Sequence, residues 1–246
     1  MAEPISTPLR LAVVVGGGGG VGAALVEALD RDLAYDRVIV LSRRSPPEAG
    51  DRRVWIAADI LDEDSLGEAA RQIGALGTPT LILIATGMLH AEGLSPEKSM
   101  RALDLNALTR VLQVNAVGPA LVAKHLLPLT PRDRPSVLAA LSARVGSIGD
   151  NRLGGWYAYR ASKAALNMLI RTLAIEHRRT RPLGLCVVLH PGTVDTALSA
   201  PFKAGVSEGR LFAPRQSAEA LLAVIDGLGP DDNGGFFAWD GSPIAW

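Results

Sequence analysis

The 246-residue chain has a single cysteine, Cys186, no excess of charge of either sign and no long apolar run. One cysteine cannot close an internal disulfide, and no neighbouring cysteines stand at metal-ligand spacing, so neither a disulfide framework nor a metal site is expected. Cys186 lies in "LGLCVVLH" and reads as a small buried hydrophobe. Lys and Arg number 25 against 25 Asp and Glu. That balance leaves no electrostatic footprint for nucleic acid or an anionic membrane surface, and local pairs such as Arg43–Arg44 and Arg178–Arg179 do not change it. No stretch approaches the roughly 18–20 apolar residues of a membrane span. The opening "MAEPISTPLRLAVVV" carries an acid and two prolines around a short apolar run, which is not the pattern of a signal peptide. The setting expected from these absences is cytoplasmic.

What the chain does have is a recurrence of short apolar runs. Seven read as strands: Leu9–Val15, Arg37–Leu41, Arg53–Ala57, Thr80–Ala85, Ser136–Leu141, Gly184–Leu189 and Gly235–Trp239. Most are continuously apolar rather than alternating, as parallel strands buried on both faces are. Helical patterns lie between them, among them "GAALVEALDRDL", "LTRVLQVNAVGPALVAKHLL" and "GWYAYRASKAALNMLIRTLAIEHRR". This alternation predicts an α/β fold, an open doubly wound sheet with right-handed crossovers. No composition break, internal repeat or linker divides the chain, so residues 1–246 read as one domain. Two connections are long, Gly87–Asp104 and Pro191–Pro214. Both leave the carboxyl ends of predicted strands, where open α/β sheets bind ligands.

Five consecutive glycines, Gly16–Gly20, follow the first strand, and Gly22 follows Val21. Glycines between a strand and a helix let the backbone turn tightly and approach a ligand, and they aim helix N-terminal N–H groups at a phosphate. An ATPase-type loop would need Lys then Ser/Thr after its last glycine, and the sequence has neither. The motif alone says "nucleotide-like ligand": a methyl-donor-binding domain would satisfy it, and a ligand-free turn is the bland alternative.

Further on, "GGWYAYRASKAALNML" places Tyr159 and Lys163 four residues apart, on one face of a helix. A lysine near a phenol is expected to lower the phenol's pKa from about 10 and fit it for acid–base work near neutrality. Tyr157 has alanine at the corresponding spacing and reads as a packing or pocket residue.

These landmarks stand in the order found in the short-chain dehydrogenase/reductase family, which the chain resembles over essentially its whole length. They are G-x-x-x-G-x-G after the first strand, "AAD" ending in Asp59, "VNAVG" with Asn115, Tyr159–Lys163, and "HPGTVDT" after the sixth strand. The stretch "SARVGSIGDNRLGGWYAYRASKAALN" is similar to the subgroup containing sniffer-type carbonyl reductases and bacterial C-signal proteins. The resemblance implies a seven-stranded Rossmann-type domain with helices on both faces, binding a nicotinamide dinucleotide. It implies Tyr159 as proton donor/acceptor, Lys163 as its electrostatic partner and ribose contact, and Asn115 as the organiser of a proton relay. The dinucleotide would run along Gly16, Gly18, Gly20, Val21 and Gly22, then Asp59 and Ile60, then Ala85, Thr86 and Gly87. It would also meet Tyr159 and Lys163, and Pro191, Gly192, Thr193, Val194 and Thr196. Helix kink, turn and cap roles are the alternatives for Asn115, Asp59, Thr193 and Thr196.

Three positions depart from the family pattern. Val15 replaces a threonine before the first glycine, and "ATG" (Ala85–Gly87) replaces "NAG". The family serine stands three residues before a glycine, and counting back from Gly146 reaches Ala143, with Ser142 one position earlier. A one-residue shift turns a strand side chain to the other face, so Ser142 fills the catalytic role only through a bulge or bend; Ser147 is the second candidate. Cofactor choice is read from the second strand's end, "VIVLSRRS". The acid that NAD-binding domains place there falls at Ser42, followed by Arg43. An arginine accommodates a 2′-phosphate, so NADP(H) is expected over NAD(H).

The expected reaction is hydride transfer between NADP(H) and a small carbonyl or alcohol. A dinucleotide-binding signalling or scaffold protein with little turnover is the alternative, and a methyltransferase would leave Tyr159–Lys163 unexplained. His90, Trp156, Tyr157, Phe202 and Phe212 are candidate pocket neighbours. A homodimer and a homotetramer are both open from the resemblance.

Overall fold

The computed structural model describes residues 8–43, 52–205, 209 and 211–246. Arg44 and part of the Pro191–Pro214 connection lie outside them. Seven strands form one parallel sheet: β1 (Arg10–Val15), β2 (Arg37–Ser42), β3 (Arg53–Ala57), β4 (Thr78–Ile84), β5 (Ser136–Leu141), β6 (Gly184–His190) and β9 (Phe236–Ala238). Their order is β3-β2-β1-β4-β5-β6-β9, every pairing parallel. The order reverses between β1 and β4, and a crevice opens there at the carboxyl ends of the strands, where doubly wound sheets bind ligands.

Both faces are covered. Leu11, Val13 and Val15 of β1 enter a core with α2 (Glu63–Leu76), α4 (Gly118–Leu126) and α5 (Tyr157–Arg178). Ala12 and Val14 face α1 (Gly20–Arg31) and α6 (Pro214–Asp226). Alternate residues of one strand are thus buried on opposite sides, which is why the sequence runs are continuously apolar. The predicted strands fall on the sheet with small shifts at their ends.

Two features differ from the sequence expectation. The pattern Leu108–Leu127 is not one helix: α3 (Leu105–Leu112) and α4 are joined by a π-helical turn over Gln113–Val117. Thr193–Val194 (β7) and Leu211–Phe212 (β8) pair as a small parallel ribbon within the last long connection. Two-residue strands carry too little periodicity to be read from sequence.

Candidate active site

The five glycines answer to different physical demands. Gly16 has φ +85°, a left-handed conformation that side chains rarely adopt, and its N–H donates to the Leu41 carbonyl across 2.8 Å. A Cβ on Gly22 would collide with the Gly16 carbonyl, and one on Gly17 would meet Val40 and Val26, so both seat α1 on the sheet. Cβ atoms on Gly18 or Gly19 would meet nothing closer than Ser42 Cβ at 3.9 Å. That open rim is where a ligand can approach the backbone. Gly19 caps α1 in extended conformation without a side-chain acceptor, leaving the first N–H groups turned toward the crevice.

The crevice holds two adjoining cavities. The first, about 960 Å³, is walled by Gly16, Gly18, Ser42, Arg43, Asp59 and Ile60, together with Trp55 and Val114. The second, about 610 Å³, is walled by Gly20, Val21, His90, Ser142, Tyr159, Lys163, Pro191 and Thr196. Gly19, Arg43, Ala85, Thr86 and Gly87 line both. The glycine loop, the β2 end, the β4 end and the Tyr159–Lys163 face are therefore one continuous surface. Asp59 is fixed by accepting the Leu61 N–H at 3.0 Å, while its own N–H donates to the Ser65 hydroxyl.

The geometry fits a dinucleotide: an uncapped helix N-terminus beside open glycines for a diphosphate, with Arg43 beside them and a tyrosine–lysine pair on the same continuous surface. Not every expected contact lies on the walls. Gly22 sits beneath the loop, and Gly192 (φ +79°) packs beside Phe212 and Trp239. Thr193 and Val194 are held in the β7–β8 ribbon, with Val194 buried. Among the described residues, no group of three or more His, Cys, Asp or Glu is placed to hold a metal ion.

Asn115 is fully buried in the π-turn. Its side chain accepts the Met88 N–H and donates to the Met88 carbonyl, both at 2.7 Å, and donates to the Ser162 hydroxyl at 3.0 Å. Ser162 in turn donates to the Tyr159 carbonyl at 2.8 Å. The extra residue in the helical turn thus ties the connection after β4 to the turn of α5 that carries Tyr159. Such insertions concentrate at functional sites.

Lys163 is buried, and its ammonium donates to the Leu141 carbonyl at 2.8 Å. It lies 5.8 Å from the Tyr159 ring centroid, over the ring face. Gly87 passes close by: a Cβ there would lie 3.7 Å from Lys163 Nζ. Burial pushes the Tyr159 phenol up to about 12 and Lys163 down to about 8. The expected lowering of the phenol's pKa by Lys163 is therefore not what this geometry produces. Desolvation of the phenol dominates.

Ser142 reaches the second cavity, but its hydroxyl donates to Asn167 Oδ1 at 2.6 Å. The β5–β6 register is regular, and the chain stays extended through Ala143, so Ser142 keeps the α5-facing side of its strand. Ser147 is off the cavity wall; its hydroxyl accepts the Asp150 N–H. Asn167 continues the Tyr159–Lys163 spacing by another four residues, so the sequence carries a local signal for it. Glu97, whose carboxylate accepts the Ala158 N–H at 3.1 Å, left no local signal at all.

Of the aromatic candidates, His90 lines the second cavity and its Nε2 lies 3.1 Å from the Ala197 carbonyl. His90, Phe202, Trp156 and Tyr159 follow one another in edge or tilted ring contacts of 5.1–6.2 Å. Phe212 packs on Trp239 at 4.6 Å instead, and Tyr157 is exposed.

The short chain dehydrogenase family model matches residues 10–206. The C-signal of Myxococcus xanthus is 38% identical over 145 residues, covering 58% of this chain and 81% of its own. The Sniffer carbonyl reductase of D. melanogaster superposes with a TM-score of 0.83 at 25% identity, over 98% of this chain and 100% of its own. The NADPH-bound carbonyl reductase from chicken fatty liver gives the same TM-score at 24% identity, over 97% and 100%. No helix among the described residues is long and apolar enough to cross a membrane. With glycine loop, strand order, Tyr159–Lys163 helix and family match in agreement, the chain belongs to the short-chain dehydrogenase/reductase family.

Proposed function

We propose that the protein interconverts a small carbonyl compound and its alcohol, with NADP(H) as hydride carrier and Tyr159 as the group that gives or takes the proton. The observation that carries this reading is the placement of Tyr159 and Lys163 on one wall of a crevice whose other walls are the glycine loop and Arg43. The nicotinamide, when bound, supplies or accepts the hydride; the chain holds the cofactor, orients the carbonyl and manages the proton.

With its pKa pushed up, the Tyr159 phenol carries its proton throughout the neutral range and is ready to donate to a carbonyl oxygen. The charge left behind is stabilised by the Lys163 ammonium, which the Leu141 carbonyl fixes in place. Asn115 and Ser162 hold the backbone of that helical turn. Gly18, Gly19 and the first turn of α1 receive the diphosphate, Asp59 and Ile60 flank the adenine, and Ser42 and Arg43 receive the 2′-phosphate. The NADPH found with the chicken carbonyl reductase supports the cofactor assignment.

An NADPH-oxidation screen over aldehydes, ketones and quinones tests the reading, with Tyr159→Phe as its control. The variant is expected to lose about 10²–10⁴-fold in kcat, as loss of a positioned acid does, with NADPH affinity nearly unchanged. Retention of more than about a tenth of the wild-type rate removes Tyr159 from that role.

The similarity to C-signal, together with the engagement of Ser142 by Asn167, favours a second reading: a dinucleotide-binding signalling protein with little turnover. NADPH binding without oxidation across the whole panel selects it.

A further inference from the structure

The catalytic helix begins in an unusual way. Gly154, Gly155 and Trp156 have φ of +63°, +65° and +52°, three successive left-handed residues, and Trp156 is the one non-glycine residue with positive φ among those described. A bulky side chain in that conformation is an outlier that persists only where its surroundings impose it. Trp156 is also the N-cap of α5, and its indole cannot accept a hydrogen bond from the helix start.

Both deficits are met by one residue 59 positions earlier in the chain. Glu97, in the connection after β4, accepts the Trp156 N–H on its backbone carbonyl at 2.5 Å and the Ala158 N–H on its carboxylate at 3.1 Å. It is buried, 5% exposed, and its negative charge lies at the positive end of the helix macrodipole. Arg160 closes the turn from the other side, donating to the Gly154 and Gly155 carbonyls. The Trp156 ring, so directed, stands edge-on to Tyr159 at 6.2 Å and against Phe202 at 5.1 Å. The same connection is pinned at its other end by Asn115 on Met88 and carries His90 into the second cavity.

We propose that Glu97 is a positioning residue for Tyr159: its carboxylate caps α5 and its carbonyl holds Trp156 in the left-handed conformation, so that the substrate-side connection and the catalytic tyrosine are set as one unit. The proposal rests on the reading of Tyr159 as the proton-transferring group. Glu97 itself touches neither cofactor nor reacting atoms. Its effect passes through the orientation of the first turn of α5.

The test compares Glu97→Ala, Glu97→Gln and Tyr159→Phe with wild type, using NADPH and 4-nitrobenzaldehyde. Glu97→Ala is expected to lower kcat by about 10–100-fold, the loss that a misplacement of order 1 Å produces, while NADPH affinity from fluorescence titration stays within about twofold of wild type. Glu97→Gln, which keeps an acceptor oxygen, is expected to restore kcat to within about threefold of wild type. Amide exchange of segment 154–160 reports the clamp without turnover: it is expected to rise about tenfold or more in Glu97→Ala and to stay near wild type in Glu97→Gln. If Glu97→Ala does not fold, Glu97→Asp carries the same expectation, because its carboxylate is one methylene short of Ala158.

Wild-type kcat and wild-type exchange in Glu97→Ala overturn the proposal. So do equal losses in the Ala and Gln variants, or kcat and NADPH affinity falling together. An active Tyr159→Phe sinks the underlying reading instead. An inactive Tyr159→Phe beside a fully active Glu97→Ala sinks only the positioning role.

Discussion

The Ser142 hydroxyl donates a hydrogen bond to Asn167 Oδ1 across 2.6 Å, joining the end of β5 to the helix that carries Tyr159 and Lys163. Asn167 also donates to the Gly146 carbonyl, and a Cβ on Gly146 would press on Lys163. The hydroxyl is therefore a strut between strand, turn and helix. In this arrangement its proton is directed at Asn167.

Ser142→Ala is accordingly expected to cost stability more than catalysis. Leaving the buried Asn167 amide oxygen unpaired costs about 1–3 kcal/mol, visible as a lowered Tm. The rate constant is expected to stay within about tenfold of wild type, since no transition-state donor is removed. A loss of about 10³-fold or more with an unchanged Tm would instead identify Ser142 as a transition-state donor.

Much of this site was legible in the sequence because its signals are local. Gly16 and Gly22 follow a strand and open a helix, and Tyr159 and Lys163 share a face through their spacing. Continuous apolar runs gave away a sheet buried on both sides. What was not legible depends on distant partners. Glu97 meets α5 only through tertiary folding, and the β7–β8 ribbon joins residues 18 positions apart through two-residue strands. The phenol's pKa was expected to fall because spacing reveals Lys163, whereas burial, a property of the assembled fold, pushes it up. Counting back from Gly146 reaches Ala143 and leaves open which way the neighbouring Ser142 faces, which the regular register of β5 and β6 decides.

Arg43 stands at the rim of both cavities, next to Ser42 where NAD-binding chains carry an acid. A guanidinium can take a 2′-phosphate through two parallel hydrogen bonds. Arg43→Ala is expected to weaken NADPH about 10–100-fold, the equivalent of roughly 1.5–3 kcal/mol for a charged contact, and to leave NADH nearly unchanged. Calorimetric titration with both cofactors reads the ratio. An unchanged ratio in the variant removes Arg43 as the discriminating contact.

A buried histidine, His177, and a partly buried one, His190, make stability depend on acid. His177 is pushed down to about 4 by burial and by Arg181, and His190 to about 4 by burial and Arg144, with Asp240 opposing. The unfolded chain holds these protons below about pH 6.5. Between pH 6.5 and 4 it therefore binds more protons than the folded chain, and stability present above that window is lost as pH falls. Tm is expected to drop across it, and His177→Gln with His190→Asn to flatten the drop. A pair of variants with the wild-type slope removes both histidines as its source.

Lys163 separates activity from stability. Its folded pKa of about 8 lies below the usual 10.5, because burial penalises the ammonium. Below pH 8 the folded chain carries that penalty in full, on the order of 3 kcal/mol at 1.36 kcal/mol per unit. Between pH 8 and 10.5 the unfolded chain holds the extra proton, so stability climbs with pH until the penalty is gone. Lys163→Met removes the charge and keeps most of the volume. It also leaves the Leu141 carbonyl without its donor, which offsets the gain by about 1–2 kcal/mol. At pH 7 the variant is expected to melt a few degrees higher than wild type, at about 2–4 °C per kcal/mol for a chain of this size, while losing turnover and NADPH affinity. At pH 10.5 the advantage should vanish. Paired melts at the two pH values decide it: a variant less stable than wild type at pH 7, or equally advantaged at both, shows that the buried ammonium imposes no such cost.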